Sequence, residues 1–250
     1  MERTAGALDA GILVRTFLRT YFVGAAFNTR GLQTVGLALA MEPGLKALYP
    51  DPGQQRLAWA RYLKIYNTHP LWTPFLTGVF LGLESRIAQG GFPAAMLEQV
   101  KSTMVFTLSA VGDAFFGGAL TPLWALATAC LLASGHAWTA FFLSAALFAA
   151  LFAFKLATFI LGYRQGFAAL SRIRGWGLVD WARRIKVING ALLVVLWALV
   201  WPSDMDPAFW ASGVALTLGL AFVAARFRIS REFLAGLGIA AGLYFLWTRI

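Results

Sequence analysis

A short polar motif interrupts an otherwise apolar stretch and is the first place where this chain could bind a ligand. Residues 66–70 read Tyr-Asn-Thr-His-Pro. Pro70 disfavours helical backbone at the preceding residue, so the chain breaks here and leaves backbone carbonyls free. Together with these carbonyls, Asn67, Thr68 and His69 offer an amide, a hydroxyl and an imidazole for hydrogen bonding to a polyol. The alternative is that Asn67 and Thr68 only cap a helix end.

Glu84 is the second candidate, because it follows the apolar run 79–83. A carboxylate at membrane depth is costly and therefore indicates a functional role. The alternative places Glu84 at the membrane interface, paired with Arg86 or Lys101.

Asp113 is the third candidate, since it follows Gly112 and precedes the longest apolar run of the chain. An ionised carboxylate accepts several hydrogen bonds and can hold two hydroxyl groups at once. The alternative is that Asp113 is the N-cap of the following segment.

Four glycines are predicted to mediate close packing, either with another helix or with a partner chain. Gly78 and Gly82 are four residues apart and would let a neighbouring helix approach closely. Gly112 and Gly117 flank the third carboxylate in the same way. Their backbones would be available to a neighbour, and this predicts an obligate membrane partner.

Catalytic motifs are absent from the sequence. It contains no phosphate-binding loop, no Gly-x-Ser-x-Gly element and no His-Glu-x-x-His element. One cysteine and two histidines are too few soft ligands to favour a transition-metal centre. We therefore expect no enzymatic activity of the chain on its own, no cofactor and no metal.

The composition is that of a membrane protein. Of the 250 residues, 59% are hydrophobic and 13% are charged, against about 45–50% and about 25% in soluble domains. The net charge is +10, but the basic residues lie between apolar runs rather than in one patch. This distribution favours contact with anionic lipid headgroups and argues against nucleic-acid binding.

Amphipathic helices are predicted at the start of the chain. Asp9 can cap a helix over 11–27 that lies in the membrane interface. A second helix over 29–41 is expected to stop near Pro43. Asp51 and Pro52 are typical of the cap and first turn of a third helix, which would run to the polar motif.

The apolar run 71–83 is too short to cross a bilayer as one helix, which takes about 20 residues. It therefore reads as a half-spanning or re-entrant helix packed inside protein. Gly-Gly-Phe-Pro at 90–93 ends this part, and a helix carrying Glu98 and Lys101 leads to the third candidate carboxylate.

Longer apolar segments dominate the rest of the chain. No charge occurs from 114 to 154, and Ser-Gly-His at 134–136 divides this run into a predicted hairpin. Five membrane segments are expected in all, at 119–133, 138–154, 187–201, 208–225 and 233–248.

Loop charge predicts the orientation of these segments. The basic connections 155–186 and 226–231 belong in the cytoplasm, and 134–136 and 204–206 face outward. No signal peptide is apparent, so the N-terminus is expected to be retained and cytoplasmic. The fold class is thus an all-α integral membrane protein, with interfacial helices in 1–66 and a membrane transport domain in 67–250.

The sequence resembles the IID membrane component of the mannose/fructose/sorbose class of bacterial phosphotransferase systems. The resemblance covers most of 11–190 in the order and spacing of that family. Its matching stretches are 17–19 to 33–36, Met-Glu-Pro at 41–43 with Leu-Tyr-Pro at 48–50, the polar motif 66–70, Gly-Val-x-Leu-x-Leu-Glu within 76–84, 101–113 with Gly117, and Tyr-Arg-Gln-Gly at 163–166. The family usually has Gln where this chain has His69, Pro where it has Ala114, and commonly Trp where it has Gly117.

The resemblance implies a multi-pass subunit in the bacterial cytoplasmic membrane. Such a chain pairs with a IIC subunit, and together they form the path of a hexose-type sugar. Soluble IIA and IIB components carry the phosphoryl group, so His69 is not expected to be phosphorylated. The alternative is a IID-like signalling or scaffold subunit that does not transport, for which the changes at His69, Ala114 and Gly117 would matter.

Overall fold

A computed structural model describes residues 8–202, 206–227 and 236. Within these residues the chain is all-helical, apart from two isolated β-bridges. Three helical stretches are long and apolar enough to cross a membrane: Ala94–Ala133, Ala137–Arg174 and Pro207–Ala224. The predicted segment 233–248 and most of the connection 226–231 lie outside the described residues, apart from Gly236, so the count of five stays a prediction.

Three helices precede the polar motif, and side chains fix the starts of two of them. Asp9 caps α1 (Ala10–Arg19) by accepting a hydrogen bond from the Gly11 amide. The chain then tightens into a 3₁₀ helix, Thr20–Ala26, where a continuous α-helix was predicted. The Asp51 carboxylate accepts from the Gln54 amide at 2.7 Å, and Pro52 opens α3 (Pro52–Ala60) as expected.

The prediction that Pro43 ends the second helix is wrong. Helix α2 spans Thr34–Leu48 with Pro43 inside it. Proline has no N–H, so the carbonyl of Leu39 loses its helical donor. The Arg19 guanidinium of α1 donates to that carbonyl at 3.0 Å. This tertiary contact compensates for the missing bond, and no local pattern could have predicted it.

The expectation of a helix packed inside protein is confirmed for α4 (Thr73–Ala88), whose residues from Thr73 to Ser85 are all buried. Its main neighbour is α7 (Ala137–Gln165). The two backbones touch because glycines line both sides. A Cβ at Gly78 would collide with the carbonyl oxygen of Phe159, and one at Gly162 would lie 2.5 Å from that of Phe75.

Helix α5 (Ala94–Gly112) does not end at the third candidate carboxylate. It continues through a π-helical segment, Asp113–Leu120, into α6 (Thr121–Ala133). The predicted turn at 134–136 is present, with Gly135 at φ +79°. Helix α7 then runs on past Lys155, so the predicted hairpin arm ending at 154 is too short, because one cation does not stop a helix packed along α4.

Short α8 (Ala169–Arg174), α9 (Leu178–Leu199) and α10 (Pro207–Phe227) follow. Most of the predicted basic connection 155–186 is therefore helical. The chain divides into two compact units, Met1–Leu192 and Leu193–Ile250. The candidate site residues and their supports all lie in the first unit.

Candidate functional site

The polar motif lies in a loop between α3 and α4, and a glutamine from an earlier loop holds it in place. Gln33 donates from its amide nitrogen to the carbonyl of Thr68, and its amide oxygen accepts from the Thr68 N–H, both at 3.1 Å. The backbone of Gln33 also donates to the Tyr66 carbonyl at 2.9 Å. The side chain and backbone of Gln33 together thus fix the chain on either side of Asn67.

A second set of contacts joins the same two loops. The Thr34 hydroxyl accepts from the Tyr66 N–H at 3.0 Å. Its own proton lies between the carbonyl of Gly31, the nearer acceptor, and that of Lys64 at 3.0 Å. Leu32 bridges to Tyr66 and has φ +57°, a left-handed conformation that bulky residues rarely adopt. The surrounding hydrogen bonds impose this strained turn, which brings Gln33 and Thr34 onto the motif.

Neither Asn67 nor Thr68 caps a helix, so that alternative is wrong. Helix α3 has already ended at Ala60, and α4 starts after Trp72 without a side-chain cap. The Asn67 side chain is exposed and has no hydrogen-bond partner among the described residues, whereas the Thr68 hydroxyl is buried without one. The motif therefore holds polar groups that its own fold does not use.

His69 leaves one ring nitrogen free for a ligand. Its ring stacks on Phe116 with centroids 5.3 Å apart, and Nδ1 accepts a hydrogen bond from the Leu71 N–H at 3.3 Å. In a neutral ring, this bond assigns the proton to Nε2, which can then donate. Burial lowers the pKa of His69 and nearby Lys155 lowers it further, although the carboxylate of Asp113 opposes both. The imidazole is therefore neutral at pH 7.

Asp113 lies at the start of the π-helical segment, close enough to His69 to influence its charge. Its carboxylate is exposed and makes no hydrogen bond within the described residues, so the helix-cap alternative is wrong here too. Gly112 permits the approach of the two elements. A Cβ at Gly112 would meet the His69 side chain and would lie 2.8 Å from Cδ1 of Trp72.

A buried amide on α9 supports the π-helical segment. Such a segment displaces backbone carbonyls from their usual partners and is frequent at functional sites. Asn189 donates to the carbonyl of Ala119 at 2.9 Å, while its own amide oxygen is buried without a partner. Sequence reasoning missed Asn189 because an isolated asparagine in an apolar helix gives no local signal.

Glu84 belongs to a different cluster, formed by the side chains of Glu84, Arg61, Tyr49, Tyr62 and Lys101, which we call the Glu84 cluster. The carboxylate is fully buried. Oε1 accepts from Arg61 Nε and Tyr62 Oη, both at 2.9 Å, and Oε2 accepts from Tyr49 Oη at 2.7 Å and from a second Arg61 nitrogen. All four acceptor positions of the carboxylate are occupied.

Within the Glu84 cluster, Arg61 balances the charge of Glu84, whereas Lys101 pairs with Glu98 outside it. Arg61 is the ion-pair partner of Glu84, in place of the expected Arg86 or Lys101. Burial lowers the pKa of Arg61, but the hydrogen bonds and charge of Glu84 more than offset this and leave it raised. Burial and Glu84 also raise the pKa of Tyr49. Lys101 is buried as well and donates to the Arg61 carbonyl at 2.6 Å.

The structure therefore brings Asn67, Thr68, His69 and Asp113 into one region and keeps Glu84 apart. Thr73 and Glu84 are at opposite ends of the buried part of α4, about 16 Å apart at 1.5 Å per residue. Substrate contact by Glu84 would require one of its four donors to leave. Sequence reasoning missed Arg61 and Tyr62 because they become neighbours of Glu84 only in the tertiary fold.

Three of the four predicted packing glycines contact the chain itself. Gly78 and Gly82 pack against the backbone carbonyls of Phe159 and Tyr163, and Gly112 packs against the His69 side chain. Only Gly117, of these four, has open space where a Cβ would be. Partner contact at these positions stays a prediction.

These features define a class, that of helical membrane proteins with a polar site beside an interrupted helix. A family model for the mannose/fructose/sorbose IID component of phosphotransferase systems matches residues 7–200. The chain therefore belongs to this IID family, as the sequence predicted.

Named relatives agree with this assignment. The chain is 30% identical over 155 residues to a mannose-specific IID component of Escherichia coli K12, a match that covers 61% of the chain and 53% of the relative. A sorbose-specific IID component of Klebsiella pneumoniae is 27% identical over 197 residues, covering 77% and 72%. A fructose permease IID component of Bacillus subtilis is 30% identical over 121 residues, covering 48% and 44%. The matches thus span about half the length of the mannose and fructose relatives.

Two solved structures share the fold. A chain in the cryo-EM structure of the mannose transporter ManYZ with microcin E492 superposes with a TM-score of 0.58 at 20% identity, covering 96% of both chains. A structure described as a membrane protein gives a TM-score of 0.71 at 19% identity, covering 95% of this chain and 96% of the other.

Proposed function

We propose that this chain is a membrane subunit of a sugar-transporting phosphotransferase permease and forms the hexose path with a IIC subunit. The observation that carries the proposal is the apposition of His69 and Asp113 at the π-helical segment, next to the free amide of Asn67. Membership of the IID family and relatives named for mannose, fructose and sorbose support it.

The site offers hydrogen-bonding groups that can bind a hexose without reacting with it. The Asn67 amide both donates and accepts, His69 Nε2 donates, and the Asp113 carboxylate accepts from two hydroxyls. Phe116, stacked beneath His69, adds an apolar wall. In this proposal the π-helical segment supplies a break in a membrane helix where a polar ligand can be held away from lipid.

In this proposal Glu84 acts without contacting the sugar in the conformation described. Its cluster ties α3 and the following loop to α4, and the polar motif lies between these elements. Because its carboxylate is saturated, we assign Glu84 a positioning role in the conformation described, with direct sugar contact reserved for a state in which a donor has moved.

The membrane arrangement follows the sequence prediction. We place the chain in the bacterial cytoplasmic membrane with about five spans, with 155–186 inside and 134–136 outside. Residues 1–66 would line the interface and 67–250 would form the transport domain with IIC. Phosphoryl transfer would be the work of soluble IIA and IIB components.

Uptake of labelled hexoses tests the proposal. Cells lacking their own mannose-class permease would express this chain with IIC, IIB and IIA components of the same organism, with and without the Asp113→Asn substitution. We expect uptake of at least one hexose that depends on the chain and falls at least tenfold in the variant. Normal assembly with uptake unchanged by Asn67→Ala and by Asp113→Asn would place the site elsewhere.

A further inference from the structure

A pocket of about 460 Å³ opens between α1 and α2. It lies far from the polar motif in sequence and shares no residue with it. Its lining combines three cations, one carboxylate and three apolar residues: Ile12, Arg15, Arg19, Glu42, Pro43, Lys46 and Ala47.

Internal contacts hold two of the three cations of this pocket in place. Arg19 donates to Glu42 at 2.6 Å as well as to the Leu39 carbonyl, and Lys46 pairs with the other Glu42 oxygen at 2.7 Å. The negative charge of Glu42 is thereby compensated. The hydrogen bonds from Lys46 and Arg19 lower the pKa of its carboxyl group. Three cations against one carboxylate leave an excess of two positive charges.

Arg15 is the cation without a partner in the described part of the chain: it makes no ion pair and no hydrogen bond there. Its side chain is exposed and lines the pocket. An unpaired guanidinium beside two oriented cations has the geometry that favours a phosphate, whose oxygens accept paired N–H donors.

The surface next to this pocket is apolar. Val14 and Leu18 of α1 are 55% and 52% exposed, and Phe22, just beyond, is 71% exposed. A helix with a basic edge beside an exposed apolar strip is typical of the membrane interface, where the strip enters the acyl region and the cations meet headgroups. A soluble anion would use the cations but would gain nothing from the strip.

We propose that the pocket formed by Arg15, Arg19 and Lys46 binds the phosphate of an anionic phospholipid, whose acyl chains lie along Val14, Leu18 and Phe22. The occupant is a lipid of the surrounding bilayer, because the exposed apolar residues Val14 and Leu18 directly precede Arg15 and Arg19 on α1. The site serves to anchor α1 at the membrane surface and does not depend on which sugar, if any, is transported.

Native mass spectrometry of the full chain with its membrane partner, purified in mild detergent, tests the site. The probes are phosphatidylglycerol and phosphatidylcholine added in equal amounts. We expect retention of phosphatidylglycerol over phosphatidylcholine, and a loss of roughly fivefold in that retention for Arg15→Gln, the effect of one basic residue at a charged bilayer. Arg56→Gln, on exposed α3, removes the same charge elsewhere and should retain the lipid.

Four outcomes would overturn the proposal. Equal retention of both lipids would mean that the anionic headgroup is not recognised. Equal losses in the two arginine variants would mean that net charge alone attracts lipid. Retention of glycerol 1-phosphate as strong as that of phosphatidylglycerol would identify a soluble anion as the ligand. Cross-linking of residue 15 to the partner chain instead of lipid would make the pocket a subunit interface. Hexose uptake by Arg15→Gln is measured separately. It distinguishes failure of the lipid proposal from failure of the transport proposal.

Discussion

The Glu84 cluster and the His69–Asp113 region differ in how far their polar groups are satisfied. The Glu84 carboxylate is fully buried and accepts four hydrogen bonds from within the chain. The Asp113 carboxylate is exposed and accepts none from the described residues. Both are acids beside apolar sequence, and they are hard to tell apart until their partners are known.

This difference separates two roles that acids beside apolar sequence can have. A saturated buried acid costs stability when it is changed, because its donors are left without acceptors. An unsatisfied exposed acid costs little stability when it is changed, but any ligand that uses it loses affinity. The two regions should therefore respond to substitution in opposite ways.

The largest effect is expected for Glu84→Ala. It leaves the Arg61 guanidinium and the hydroxyls of Tyr49 and Tyr62 without their shared acceptor, which should cost about 3–5 kcal/mol of unfolding free energy. Thermal unfolding of the purified chain in detergent measures this. Asp180→Ala, which removes an exposed acid of α9 that pairs with the equally exposed Arg183, is the control. A Glu84→Ala chain of normal stability with weakened sugar binding would reverse the assignment.

Asp113→Asn should give the complementary result. Removing the charge weakens a hydrogen bond to a sugar hydroxyl by about 1.5–3 kcal/mol, or roughly tenfold or more in affinity. The unfolding temperature should stay near that of the wild type, because no internal partner is lost. Sugar binding by calorimetry on the assembled complex checks the first point. Unchanged binding with a lowered unfolding temperature would make Asp113 a structural residue.

Local sequence signals predicted the helix starts and turns but not the tertiary pairings. Asp9, Asp51 and Pro52 act where expected because caps depend on residues within one turn. The turn at Gly135 and the break before α5 are likewise local. The family itself was recognisable from motifs that the family match covers.

What failed depends on distant partners. Pro43 stays inside α2 because Arg19, 24 residues earlier, supplies the donor that proline lacks. The fusion of α5 and α6 through a π-helical segment relies on Asn189 from another helix. The partner of Glu84 is 23 residues away. Helix period and charge pattern carry no information about such contacts.

Smaller effects on sugar binding are expected from protonation or substitution of His69. Because its pKa lies below the ordinary value of 6.5, the neutral imidazole prevails at pH 7 and is lost only as the pH falls through that lower pKa. Acidification should then reduce sugar binding by the wild type, as the ring gains a second N–H and a charge. His69→Gln keeps a hydrogen-bonding group that cannot titrate, so its binding should change only about threefold at pH 7 and stay flat with pH. A parallel decline in both proteins would assign the pH dependence to another group.

The smallest effect on the stability of the chain is expected from substitution of Gly117. This substitution tests whether a partner subunit covers the open side of the site. Gly117 lies in the π-helical segment one turn from Asp113, and nothing in the described chain occupies the space where its Cβ would be. Gly117→Ala should therefore change the unfolding free energy of the isolated chain by less than about 1 kcal/mol, because alanine is the better helix former. Gly78→Ala is the contrasting variant, since its Cβ would strike the backbone of α7 and should cost about 1–3 kcal/mol.

If a IIC subunit packs on the open face, Gly117→Ala and the larger Gly117→Leu should progressively weaken co-purification of that subunit while the isolated chain stays folded. Undiminished assembly of Gly117→Leu would mean that the face beside Asp113 is open to lipid or to the sugar path.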